Sequence, residues 1–396
     1  MSATAVNDLL ALLAIPGPPG EEAAVAEHLR RTLAAAGVDP GCITTDEAHR
    51  QSEYGGNTGN LIVRLDGHRR GPRRLFSAHM DTVPGAIGAA PRLDEAAGKV
   101  VNDAPGKALG GDNRTGCAVL VQVARALCQR RGDHPPATLV FFVQEEVGLV
   151  GSRGLDVGRL GEPKPAMGFN FDIEDADEFV TAVIGTERFT VDIEGVAAHS
   201  GINPADGVSA ALIAAEALAQ LAGAGWHGVI ERADGRGTAN VGILRGGTGS
   251  NVVMPALHIL AEARSYDPVF RKTIIRAWRE AFERAAALRR NRSGAAGRVR
   301  FGPGPTYEAF TLDAEAPVVR AAVAAARRCG LTPRCVSNDG GMDANWMVAH
   351  GIPTVTLGAG QRHIHMPAEE VDLHHFTLAC RLAVELATAP EADSSA

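Results

Sequence analysis

Imidazole and carboxylate side chains recur in this sequence at the ends of apolar runs, where a folded chain brings ligands together. His79 and Asp81 close the run Leu75-Phe76-Ser77-Ala78. Two residues apart at a strand end, they can face the same side. His79 can bind a metal and Asp81 can hold its imidazole in one tautomer, although a surface turn has the same composition. Asp112 stands between Gly111 and the start of a helical pattern, a place that suits an N-cap and equally a carboxylate bridging two metals. Glu145 and Glu146 adjoin after Leu139-Val140-Phe141-Phe142-Val143. Neighbouring carboxylates at the end of a buried strand repel, and a cation relieves that repulsion. One of them can ligate while the other acts as base on water. Asp172 ends a further apolar strand, and His365 lies in Arg362-His363-Ile364-His365-Met366-Pro367. Either His363 or His365, or both, can face a site. These are the parts of a hydrolytic metal centre: nitrogen and oxygen ligands, a position for water and a nearby base.

The elements that must position them follow from periodicity. Residues 22–36 read as a helix, 60–65 and 74–79 as strands, 116–130 as a long apolar helix, 137–144 as a buried strand and 167–171 as another. Strands alternating with helices imply an α/β sheet, whose ligands gather at the carboxyl ends of its strands. Beyond residue 179 the pattern changes. Residues 180–193 alternate like one long half-buried strand. A helix follows at 206–222, strands at 238–244 and 256–263, a helix at 268–290 and a last strand at 298–301. This β-α-β-β-α-β order is that of a ferredoxin-like domain. Gly302-Pro303-Gly304-Pro305 reads as the exit linker. The α/β pattern resumes with a helix at 316–328, a strand at 353–357 and a helix at 374–387. The expected fold is therefore α/β, with a discontinuous domain of mixed sheet flanked by helices (1–178 and 304–396). A smaller α+β domain (179–303) is inserted in it, and residues 389–396 are expected to form a frayed tail.

Composition narrows the function classes. A chain of 396 residues suits two domains, and an apolar fraction of 45% excludes wholesale disorder. A net charge of −7 gives no reason to expect a nucleic-acid partner. No apolar run approaches the ~20 residues of a membrane helix. Leu9 to Ile15 is too short, and too poor in preceding basic residues, to be expected as a signal peptide. Six scattered cysteines with no CxxC pair fit free thiols in a reducing compartment, so the expected location is cytoplasmic.

The order of the motifs is more specific than any one of them. His-x-Asp, Gly-Asp-Asn, Glu-Glu, Asp, Ala-His-Ser-Gly and a late His resemble the zinc metallopeptidase family that includes peptidase T, aminoacylase and glutamate carboxypeptidase. The resemblance covers nearly the whole chain. It is strongest to the peptidase T-like branch, through Ala78-His79-Met80-Asp81-Thr82-Val83-Pro84, Glu145 to Gly151, Ala263-Arg264-Ser265 and Asp343-Ala344-Asn345. It implies two zinc ions per chain, with cobalt or manganese as alternatives. His79 and Asp172 would hold one ion, Glu146 and His365 the other, and Asp112 would bridge them. Glu145 would be the general base, and Asp81 would support His79. A cis peptide is implied at Asp112–Asn113; the family often has Asp where Asn113 stands. The inserted domain would be a lid that also forms a homodimer, with His199 stabilising the oxyanion in its own or a partner's active site. Arg264 would grip the substrate carboxylate, with Asn251 close by. The implied activity is hydrolysis of small peptides by an aminopeptidase. The rivals are an N-acyl-amino-acid deacylase or a carboxypeptidase, and a non-catalytic binding protein on the same fold.

Overall fold

The computed structural model describes residues 3–389, so the expected tail lies outside the described residues from 390 onward. The chain divides into two compact units, parting between Ala182 and Val183 and again between Phe310 and Thr311. The first unit is discontinuous, and the second is inserted in it. No described helix is long and apolar enough to cross a membrane.

Among the described residues, the first unit is built on a nine-stranded mixed sheet. Its centre is four parallel strands in the order Ala137–Phe142, Arg74–His79, Met167–Ile173 and Thr354–Gly358. Arg74–His79 and Ala137–Phe142 are buried along their whole length. That is why they read as continuous apolar runs: parallel strands are covered on both faces. Because the four run the same way, their carboxyl ends share one edge of the sheet. Leu61–Leu65 and Ile43–Thr45 extend the sheet antiparallel on one side and Glu178–Val183 on the other. A small second sheet joins Pro91–Asp94, Lys99–Asn102, Glu370–Asp372 and Gln361–Arg362.

The helix Gly111–Gln129 packs against Arg74–His79 and Met167–Ile173. Gly116 permits that approach. A Cβ there would stand 2.3 Å from the Phe171 carbonyl oxygen and 2.8 Å from the Ala78 Cβ, so any side chain would force helix and strands apart.

The inserted unit is a five-stranded antiparallel sheet with two helices, Ala210–Gly223 and Pro268–Leu288. Its strands lie in the order Gly228–Arg232, Gly235–Gly246, Ala256–Ser265, Gly185–Glu194, Arg298–Tyr307. Without the first, this is the ferredoxin-like order. Phe189, Val191, Ile259, Ile274, Trp278 and Phe282 form its core.

Three expectations need correction. Residues 180–193 are not one strand. Glu178–Val183 pairs with Thr354–Gly358 in the first unit, whereas Gly185–Glu194 pairs with Ala256–Ser265 in the second. Gly302 to Pro305 is not an exit linker but part of strand Arg298–Tyr307. That strand lies at the sheet edge, with a register shift between Pro303 and Thr306, and prolines are tolerated at edges and irregularities. The helix expected from 206 starts at Ala210, where the Ser209 hydroxyl accepts the Leu212 N–H as a good N-cap does.

Candidate metal centre

His79 is the last residue of its strand and is buried. Its Nδ1 lies 3.0 Å from the Asp81 carbonyl oxygen and 3.4 Å from Asp81 Oδ1. A proton on Nδ1 donated to that carbonyl leaves the Nε2 lone pair free to ligate. Nε2 stands 3.1 Å from Asp112 Oδ1 and 3.5 Å from Asp172 Oδ1.

Asp112 does not act as an N-cap. After the kink at Asp112 and Asn113 it is the Asn113 side chain that caps the helix, its Oδ1 accepting the Gly116 N–H at 3.0 Å. Asp112 and Asn113 have non-helical backbone angles, and the peptide between them is cis. The two Asp112 oxygens diverge: Oδ1 faces His79, and Oδ2 lies 3.2 Å from His365 Nε2. His365 Nε2 is also 2.9 Å from Glu146 Oε1. Two sets of converging donor atoms result, His79 with Asp112 and Asp172, and Asp112 with Glu146 and His365. His363 is exposed and belongs to neither set.

The electrostatics fit cations. Burial, reinforced by the Asp112 charge, pushes the Asp172 carboxyl up to about 7. Burial also raises Glu146 and, more strongly, Glu145. Burial would raise Asp112 too, but the two imidazoles bonded to it hold its carboxyl well below the usual carboxylate range. Hydrogen bonds to Asp112 and Glu146 push His365 up to about 10. Against its own burial, His79 is held well above its ordinary value by Asp172, Asp112 and Asp81. The histidine protons thus balance the carboxylates where a divalent ion would otherwise do so. The donors are all nitrogen and oxygen, a set suited to zinc, cobalt or manganese.

Carboxylates that do not belong to either set hold the ligand loops by their backbone. Asp81 accepts the Glu145 and Glu146 N–H groups at 3.0 and 3.1 Å, so its carboxylate fixes the Glu-Glu turn while its carbonyl orients His79. Glu369, buried, accepts the N–H groups of Leu109, Gly110 and Asp112 at 2.8, 2.8 and 3.0 Å. Glu22, also buried, accepts those of Gly20 and Gln144. Sequence reasoning passed over Glu22 and Glu369 because a bond to a backbone N–H imposes no side-chain pattern. Asp343 is buried as well, and its carboxyl is pushed to about 7 by burial, with Asp81 and Asp112 adding to the effect. Arg362 ties the His365 loop to the turn after Asp172 through Asp175 and Glu174. His365 and Gln144 both have positive φ, 65° and 53°, the kind of backbone strain that functional sites retain.

His199, Asn251 and Arg264 lie in the inserted unit. His199 is exposed, and its Nδ1 accepts the Gly201 and Ile202 N–H groups at 3.1 and 3.2 Å. That leaves Nε2 on the other side of the ring. The Ser200 N–H donates to the Asn251 carbonyl at 3.0 Å, so these two loops meet. Arg264, on strand Ala256–Ser265, donates from Nε to Glu262 at 2.9 Å.

The family model described as peptidase family M20/M25/M40 matches residues 75–389. The crystal structure of aminopeptidase PepT from Bacillus cereus ATCC 10987 superposes with a TM-score of 0.81 at 30% identity, covering 97% of each chain. A tripeptidase from Staphylococcus aureus subsp. aureus Mu50 gives a TM-score of 0.83 at 28% identity, over 97% of this chain and 96% of that one. An uncharacterized protein of Bacillus subtilis strain 168, YqjE, is 29% identical over 382 residues, 96% of both chains.

Proposed function

The chain belongs to peptidase family M20/M25/M40, and from that premise we propose that it is a two-zinc aminopeptidase of small peptides. It is a hydrolytic enzyme of the peptidase T-like branch. The observation that carries the finer reading is the pair of ligand sets joined at Asp112, with Glu145 adjoining the ligand Glu146. His79, Asp112 and Asp172 would hold one ion, and Asp112, Glu146 and His365 the other. When bound, such ions polarise a carbonyl and lower the pKa of water. Glu145 takes the proton of the attacking water at its carboxylate and returns it to the leaving amine. Asp81 holds the Glu-Glu turn so that this carboxylate does not swing away. His199 donates to the developing oxyanion, and Arg264 pairs with the substrate carboxylate, with Asn251 beside it. A homodimer formed through the inserted unit and a cytoplasmic location complete the proposal. The six free cysteines fit that compartment.

Metal content by elemental analysis, run beside hydrolysis of free and N-blocked tripeptides and N-acyl amino acids, tests it. About two zinc per chain and chelator-sensitive release of the N-terminal residue from free tripeptides only are expected. Cleavage of acylated amino acids alone would replace the aminopeptidase by a deacylase. Absence of bound metal after reconstitution would overturn the two-metal centre.

A further inference from the structure

Glu22 precedes the helix Ala23–Ala35, yet its side chain caps nothing there. It is fully buried, and its Oε1 accepts the Gly20 N–H at 2.9 Å and the Gln144 N–H at 3.0 Å. At Gln144 the chain turns, with φ of 53°, after the strand Ala137–Phe142 and into Glu145-Glu146. The next two N–H groups, of Glu145 and Glu146, go to the Asp81 carboxylate. Three successive backbone donors therefore converge on two buried carboxylates. The buried guanidinium of Arg114 interacts electrostatically with both of them. The Gln144 side chain is itself fixed, accepting from Ser52 at 2.5 Å and donating to the Gly55 carbonyl at 2.8 Å. The peptide in front of Glu145 is thus anchored from elements far away in sequence.

We infer that Glu22 is a positioning residue for Glu145: its carboxylate fixes the Gln144 peptide and, through it, the aim of the Glu145 carboxylate. Glu22 makes no hydrogen bond to a candidate metal ligand's side chain. The inference rests on Glu145 being the base. A left-handed non-glycine residue relaxes readily toward ordinary backbone angles once its N–H loses its acceptor, and that rotation would carry the Glu145 carboxylate with it.

Three variants separate the possibilities. Glu22→Asp keeps the charge but withdraws the acceptor by one methylene. Glu22→Gln keeps an oxygen at the same reach without the charge. Glu145→Gln tests the base itself. Each is assayed for kcat and KM on a tripeptide that the parent hydrolyses, for metal per chain and for thermal midpoint. Glu22→Asp is expected to lose about 10²-fold in kcat, the scale of a small misplacement, with KM and metal content unchanged. Glu22→Gln is expected to keep most of its kcat. Parental kcat in Glu22→Asp overturns the inference, as does a loss matched by lost metal, which would mark a merely structural role. If Glu22→Asp does not fold, Glu22→Gln decides: a 10²-fold loss there would mean that charge matters and position does not. Full activity in Glu145→Gln would instead remove the base, a separate failure.

Discussion

Glu145 and the two histidines carry the sharpest consequences at the scale of single residues. Glu145→Gln should lower turnover by about 10²–10⁴-fold, the span of general-base catalysis, while elemental analysis finds the metal content unchanged. The histidines make metal uptake depend on pH. His365 is held up to about 10 by its hydrogen bonds to Asp112 and Glu146, so it carries a proton at neutral pH that a metal must displace, and His79 is shifted in the same direction. Apparent affinity should therefore rise with pH, about tenfold per unit for each proton displaced. Calorimetry in buffers of different ionisation enthalpy would count those protons, and a count of zero would contradict the arrangement. Glu22 adds a stability effect of opposite sense. Its carboxyl is raised from 4.5 to about 7, chiefly by burial and then by the Asp81 charge. The folded state therefore binds the proton more tightly than the unfolded one, and stability falls as pH rises from about 4.5 to 7. Denaturant melts of the metal-free Glu22→Gln protein should show a flatter pH dependence over that window. His79, Glu146 and Asp172 were legible in the sequence because each follows or ends an apolar run, whereas Asp112 and His365 stood out only through the order of motifs shared with the resembled family. Glu22 and Glu369 were not legible, since what they hold is backbone. Asp112 was ambiguous until its two oxygens were seen to face different histidines.

At the scale of elements, placement depends on how closely helix Gly111–Gln129 sits on the strands that present His79 and Asp172. Gly116→Ala would drive a methyl group to within 2.3 Å of the Phe171 carbonyl. It should cost about 1–3 kcal/mol, read as a lower denaturation midpoint. It should also weaken metal binding, because Phe171 immediately precedes Asp172. Elements with both faces covered were plain in the sequence as unbroken apolar runs. Gly228–Arg232 was missed because only Ile230 of its residues is buried, which leaves neither alternation nor an apolar run. The division at Ile184 was hidden for the opposite reason. Two strands of different sheets follow one another with only Ile184 between them, and no turn residue interrupts them until Gly185.

At the scale of the molecule, every candidate ligand lies in the discontinuous unit and none in residues 183–310. Chelation should therefore raise amide hydrogen exchange around residues 79, 112, 146, 172 and 365, and leave the core of the inserted unit protected. Equal loosening of both units would show that the metal centre stabilises more than the unit containing it. The order of the ligands along the chain has a further consequence. His79, Asp112, Glu146 and Asp172 precede the inserted unit, whereas His365 follows it. The central strand Thr354–Gly358 also comes late, pairing beside Met167–Ile173. On the ribosome, the residues His79, Asp112 and Asp172 all emerge before His365, which the second set lacks until then. The two sets are therefore completed at different moments of synthesis, the first with Asp172 and the second with His365.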